Sequence, residues 1–190
     1  GVESTTVNNF LVGYAEGAKY VDPEIKVLTA YVGDYMDTAK AKDLANAQIS
    51  EGADIIFQVA GGAGNGVIEA AAEKDGVMAI GVDSDQYQAL EGSNLQPAVI
   101  TSSLKRLDNA LFNICQSYAE DPSSVPFGEN VTYGLAEDSV GIVFNDNLTN
   151  SIGQENVDKV QEALEKIQVG EIEVTEAAGL SAEEIDAIVQ

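Results

Sequence analysis

The chain has 190 residues, 45% of them hydrophobic and 22% charged, enough for one good core in an ordinary globular domain. Nine Lys and Arg against 32 Asp and Glu give a formal charge of −23, a field that repels phosphate backbones and anionic surfaces and argues against a nucleic-acid groove. Histidine is absent and cysteine occurs once, at Cys115, which removes Ser-His-Asp and Cys-His nucleophiles, the usual Cys/His zinc sites and any disulfide within the chain.

No apolar run reaches the ~18 to 20 residues of a membrane span, and no basic, apolar leader opens the chain, so this segment is expected not to insert into a membrane. Val7, Phe10, Leu11, Tyr14, Ala18 and Val21 recur at helical spacing, with Ser4 to Thr6 as caps and Asp22-Pro23 as the stop. Residues 25–32 then read as a strand ended by Gly33-Asp34, and a helix from about Thr38 to Glu51 follows, capped by Asp37 or Thr38. The rhythm repeats. Strand 54–60 runs into Gly61-Gly62, helix 65–74 stops at Gly76, and strand 77–82 ends in Asp83-Ser84-Asp85. A fourth strand, 98–102, precedes a helix whose apolar face is Leu104, Leu107, Leu111, Ile114, Cys115 and Tyr118, which makes Cys115 a small core residue. Segments 131–135 and 140–144 look like a hairpin or two edge strands. A helix through Val157, Val160, Leu164 and Ile167 reaches Gly170, and Ser181 to Glu184 cap a last short helix in an acidic surface tail. Alternating apolar strands and helices predict an α/β fold: a doubly wound, mainly parallel sheet with helices on both faces.

In such sheets ligands bind beyond the carboxyl ends of the strands. The loops there hold an aromatic ring (Tyr35), a glycine cradle (Gly61, Gly62, Gly64, Gly66), a carboxylate (Asp83) and an ammonium (Lys105), a set that suits a sugar ring carrying a flat base. The glycine loop is no phosphate loop, because Val67 and Ile68 stand where Lys and Ser/Thr are required, and it lacks the final glycine of a dinucleotide fingerprint. It is either a strand-to-helix turn or a place where backbone N–H groups approach an uncharged ligand. Asp83 is either a cap or turn residue, or a carboxylate accepting both hydroxyls of a vicinal diol. Lys105 is either a solvated lysine or a donor aimed at a sugar oxygen or at Asp83. Tyr35 either covers core or offers a stacking platform. No metal, cofactor or catalytic constellation emerges, so the chain does not read as an enzyme.

The stretches Phe10-x-x-Gly13-Tyr14-x-x-Gly17-Ala18, Tyr31-Val32-Gly33-x-x-x-Asp37-x-Ala39-Lys40, Phe57-Gln58-Val59-Ala60-Gly61-Gly62-x-Gly64-Asn65-Gly66, Ile80-Gly81-Val82-Asp83-Ser84-Asp85-Gln86 and Thr101-Ser102-x-Leu104-Lys105-Arg106 resemble, in order and spacing, the basic membrane protein family of substrate-binding lipoproteins, which includes purine nucleoside receptors. The resemblance covers about residues 1 to 170. It implies a two-lobed type I periplasmic-binding fold with the ligand between the lobes, this chain supplying the second lobe and the segments after it. Residues 1–105 would form the ligand-binding second lobe, 106–150 the segment returning to the first lobe, and 151–190 a helix and tail packing back.

By the same resemblance, Asp83 and Lys105 would bind ribose hydroxyls and Gly61 and Gly62 would line the pocket. Tyr35 would stack on the base where the family often has Phe. The implied role is capture of a nucleoside for an ABC permease by an extracytoplasmic, lipid-anchored protein. Other ligands on the fold, such as a sugar or another small polar solute, and a sensory module are the alternatives. The family's first strand-helix units, its lipid-bearing cysteine and the loop gripping the other face of the base have no counterpart here. Apolar residues meant for that lobe, including Leu107, Leu111, Phe112, Val131, Leu135, Val140 and Ile142, are therefore expected to drive self-association.

Overall fold

Local chemistry sets the first helix. In the computed structural model, which describes residues 1–190, α1 (Thr5–Val21) starts where the Ser4 side chain accepts from Val7 N–H and ends where Asp22 turns extended. Asp37 caps α2 (Thr38–Ser50) in the same way, accepting from Lys40 N–H. Then come β1 (Ile55–Phe57), α3 (Gly64–Ala72), β2 (Met78–Asp83) and the single turn α4 (Gln86–Ala89), followed by β3 (Val99–Lys105) and α5 (Leu107–Glu120). The chain closes with β4 (Val140–Ile142), α6 (Asp146–Ile152), α7 (Gln154–Gln168) and α8 (Ala182–Val189), the last opened by a complete capping box between Ser181 and Glu184.

The four strands form one sheet in the order β1-β2-β3-β4, parallel up to β3 and antiparallel at β4. Alternation along the strands supplies both faces. Ile56, Ala79 and Val99 point toward α2 and α3, where Ala41, Ala45, Val67, Ile68, Ala70 and Ala71 are buried. Ile55, Met78, Ile80 and Ile100 point the other way, onto Leu148 of α6 and Val157 of α7. Phe57 shares that second face, and the rings of Phe10 and Tyr14 from α1 meet it at 6.0 and 5.5 Å between centroids. Helices thus cover both faces, as an apolar parallel sheet requires.

Four sequence expectations need correction. Segment 25–32 has no regular secondary structure and is no strand: no backbone hydrogen bond joins 26–32 to β1, whose outer edge stays open. Its apolar composition is that of a strand, but a strand exists only where a neighbour closes the ladder. Residues 131–135 likewise lie outside the sheet, and only 140–142 of the expected hairpin pairs, with β3 rather than with 131–135. Cys115 is exposed rather than buried. The reason is that α5 turns Asn109 and Asn113 inward, donating to the carbonyls of Asp138 and Glu137 at 2.9 and 3.0 Å, and so leaves its apolar stripe outward. Finally, the acidic tail is more than surface. Ala177, Ile185 and Val189 are buried with Val12 and Ala15 of α1, and Lys19 Nζ donates to the Ile188 carbonyl at 2.7 Å.

Candidate ligand site

The residues singled out from the sequence gather at the carboxyl ends of β1, β2 and β3 in two groups. The first is built by the loop after residue 32. Gly33 has φ +78°, a left-handed conformation open to glycine. Asp34 Oδ1 then accepts from the N–H groups of Met36 and Asp37, and those two bonds hold its carboxyl below the usual carboxylate range. This Asx-type turn lifts Tyr35 to the surface, where the residue is 43% exposed. The Tyr35 carbonyl accepts from Ala63 N–H at 2.8 Å, stitching the loop to the glycine turn. Gly61, at φ +56°, lies against the Tyr35 ring, and Gly62 against the Tyr35 carbonyl and Met36 sulfur. Tyr35, Gly61 and Gly62 therefore make one patch.

Asp83 and Lys105 make the second group. They end neighbouring strands β2 and β3, where Asp83 pairs in register with Leu104, and Lys105 Nζ stands 3.0 Å from Asp83 Oδ1. Asp83 is not the α4 cap; Asp85 is, accepting from Gln88 N–H at 3.1 Å. Both partners are 39% to 51% exposed, so the pair adds roughly 0 to 1 kcal/mol to stability. Charges that stabilise so little, held at a strand end, are free to exchange their mutual contact for a ligand's hydroxyls.

Three residues to which the motifs alone assign no role lie beneath these groups. Gln58 Nε2 donates to Gln86 Oε1, Gln86 N–H donates to Ser102 Oγ at 3.1 Å, and Gln58 and Ser102 are buried. Their signal was present: each interrupts or follows an apolar strand with an amide or hydroxyl that has to find a partner. The glycine loop also divides by task. Gly64 leaves room for the Gln58 side chain, and Gly66 lets α3 lie against the Thr38 carbonyl, so only Gly61 and Gly62 face outward to the patch.

A cavity of about 640 Å³ lies elsewhere, between α1, segment 25–32, α2 and β1, and is lined mostly by hydrophobic residues. None of Tyr35, Gly61, Gly62, Asp83 or Lys105 borders it. It is the gap left where 25–32 runs beside β1 without pairing. Tyr14 faces it, and burial, with Asp54 second, pushes that phenol above its usual range.

The family model for ABC transporter substrate-binding proteins of the PnrA-like kind, Bmp, matches residues 1–178. The chain belongs to this family. The family is one of transporter binding components rather than enzymes. Basic membrane protein D of Borreliella burgdorferi (strain JD1) is 40% identical over 123 residues, 63% of this chain and 34% of that protein. The ABC transporter nucleoside-binding protein BmpA of Lactococcus lactis subsp. cremoris (strain MG1363) is 35% identical over 147 residues, 71% of this chain and 41% of that protein. The CD4+ T-cell-stimulating antigen of Listeria monocytogenes serovar 1/2a (strain ATCC BAA-679 / EGD-e) is 34% identical over 188 residues, 93% of this chain and 51% of that protein. The chain thus spans about a third to a half of the length of the curated relatives it matches.

Among solved structures, a solute-binding protein of an ABC transporter system from Aeropyrum pernix K1 superposes with a TM-score of 0.74 at 22% identity, over 100% of this chain and 59% of that one. One from Conexibacter woesei DSM 14684 gives 0.65 at 22% identity, over 93% and 55%. At that identity the likeness establishes the fold.

Proposed function

We propose that this chain supplies one half of a nucleoside-binding cleft in the extracytoplasmic, lipid-anchored receptor of an ABC importer. The observation that carries the reading is the Asp83–Lys105 pair, exposed at the carboxyl ends of adjacent parallel strands. The carboxylate accepts two hydroxyls of a vicinal diol and the ammonium donates to a ribose oxygen, while the Tyr35 ring, backed by Gly61 and Gly62, takes the base. A charge of −23 favours a neutral or cationic ligand over a nucleotide. The name of the Lactococcus relative, a nucleoside-binding protein, supports the same ligand class. Within this reading residues 1–105 grip the ligand, 106–150 return to the other lobe, and 151–190 pack back, as the contacts of α8 with α1 support. The permease receives the closed, loaded protein.

Calorimetry on the complete protein tests the reading with a purine nucleoside, its free base and free ribose. Nucleoside is expected to bind far more tightly than either part, and Asp83→Asn, which keeps a residue tolerant of the left-handed backbone, to weaken it by about 1.5 to 3 kcal/mol or more. Equal affinity for nucleoside and base would remove the ribose contacts. Preferential binding of a free sugar would replace the nucleoside by a simpler polyol.

A further inference from the structure

The end of β2 holds a turn of uncommon hand. Asp83 has φ +68°, and Ser84 N–H donates to the Val82 carbonyl at 2.9 Å, closing a three-residue γ-turn around a residue that is not glycine. The positive-φ γ-turn is the rare, strained hand, and such strain persists only where the surroundings over-determine it.

The surroundings are one glutamine and what it rests on. Gln86 Oε1 reaches back to accept from Val82 N–H at 3.0 Å, the residue just before the turn, and accepts from Gln58 Nε2 as well. Gln86 N–H is fixed by Ser102 Oγ on β3, and Gln58 Oε1 accepts from Ala60 N–H at 3.2 Å after β1. A single chain of hydrogen bonds therefore crosses the ends of β1, β2 and β3, the three points from which Gly61-Gly62, Asp83 and Lys105 spring. Space is reserved for it. A Cβ at Gly64 would overlap the Gln58 amide, and one at Gly81 would stand 2.5 Å from Ser102 Oγ and 2.7 Å from Gln86 Oε1.

We infer that Gln86, seated on Gln58 and Ser102, is the positioning residue of the Asp83 carboxylate, and that Gly64 and Gly81 keep the room this bridge occupies. Its consequence for ligand rests on the nucleoside reading above; its consequence for the turn does not. Amide hydrogen exchange in this chain and nucleoside calorimetry in the complete protein test the two separately. Gln86→Leu, which removes the acceptor, is expected to speed exchange at Val82 and Ser84 about tenfold or more relative to Ala79 and Ile80, and to weaken nucleoside by a similar factor. Gln86→Glu, which keeps an acceptor oxygen in place, is expected to restore both to within about threefold. Ser102→Ala serves where the leucine variant does not fold, and is expected to raise exchange at the same two amides. Unchanged exchange at Val82 and Ser84 in Gln86→Leu, or a glutamate variant as impaired as the leucine one, overturns the positioning role. A wild-type protein that binds no nucleoside overturns the proposed ligand and leaves the exchange result to judge the turn.

Discussion

Gly66→Ala separates a glycine kept for packing from one merely present in a helix. A Cβ at Gly66 would lie inside contact distance of the Thr38 carbonyl oxygen, 2.9 Å from its carbon and 3.0 Å from Lys42 N. These are backbone atoms of α2 and cannot swing aside as a side chain end can. To reach the ~3.5 Å of ordinary contact with that oxygen, α2 has to retreat from α3 by roughly 1.5 Å. The interface it leaves is made of small residues, Ala41 and Ala45 against Val67 and Ala70, which cannot reach across the gap. Overpacking of this kind costs about 1 to 3 kcal/mol and sometimes more, and the helix preference for Ala over Gly returns about 0.5 to 1. A net loss of about 1 to 2 kcal/mol lowers the melting temperature by roughly 2 to 8 °C in a domain of this size. Gly17→Ala is the counterpart. Gly17 lies in α1 with nothing within 4 Å of an added Cβ, so the same substitution should stabilise by about 0.5 to 1 kcal/mol. Paired thermal and urea melts read both. Gly66→Ala stabilising as Gly17→Ala does would refute the close crossing of α2 and α3.

Lys105→Ala is expected to weaken nucleoside binding in the complete protein by about 1.5 kcal/mol or more while leaving the melt of this chain within about 0.5 kcal/mol; unchanged binding removes Lys105 from the site. The Asp34 carboxyl titrates below its unfolded value, held down chiefly by the Met36 and Asp37 N–H groups. The stabilisation it gives is therefore present above the ordinary carboxylate range and lost as pH falls through the folded value. The stability gap between wild type and Asp34→Ala should narrow on acidification; a gap constant with pH contradicts this. Leu107, Leu111 and Phe112 are 59% to 65% exposed on one side of α5, and Phe127 nearby in sequence is 74% exposed. Covering each such side chain is worth about 1.5 to 3 kcal/mol. We expect this chain alone to self-associate in sedimentation at micromolar concentration, and Leu111→Ser with Phe112→Ser to return it to monomer. A wild-type monomer would end that expectation.

The starts of three helices were legible because caps are local: Ser4, Asp37 and Ser181 each accept from an N–H three residues on, and their helices begin there. The parallel sheet was legible in the apolar runs through β1, β2 and β3, and the candidate site was proposed from the rule that strand ends carry ligands. Asp83 and Lys105 lie 22 positions apart in sequence, and adjacency of β2 with β3 brought them to 3.0 Å. Segment 25–32 and residues 131–135 have strand composition without strand pairing, since a ladder needs a partner that composition cannot supply. Cys115 and the apolar stripe of α5 follow the same logic in reverse. Periodicity marks a face for burial, yet the contacts of Asn109 and Asn113 with residues 137 and 138 decide which way the helix turns. The sequence determined the longer helices, which segments are strand-like, and which side chains stand ready at the loops. Tertiary structure decided what those side chains meet, because pairing, helix rotation and the Gln58–Gln86–Ser102 bridge each depend on residues distant in the chain.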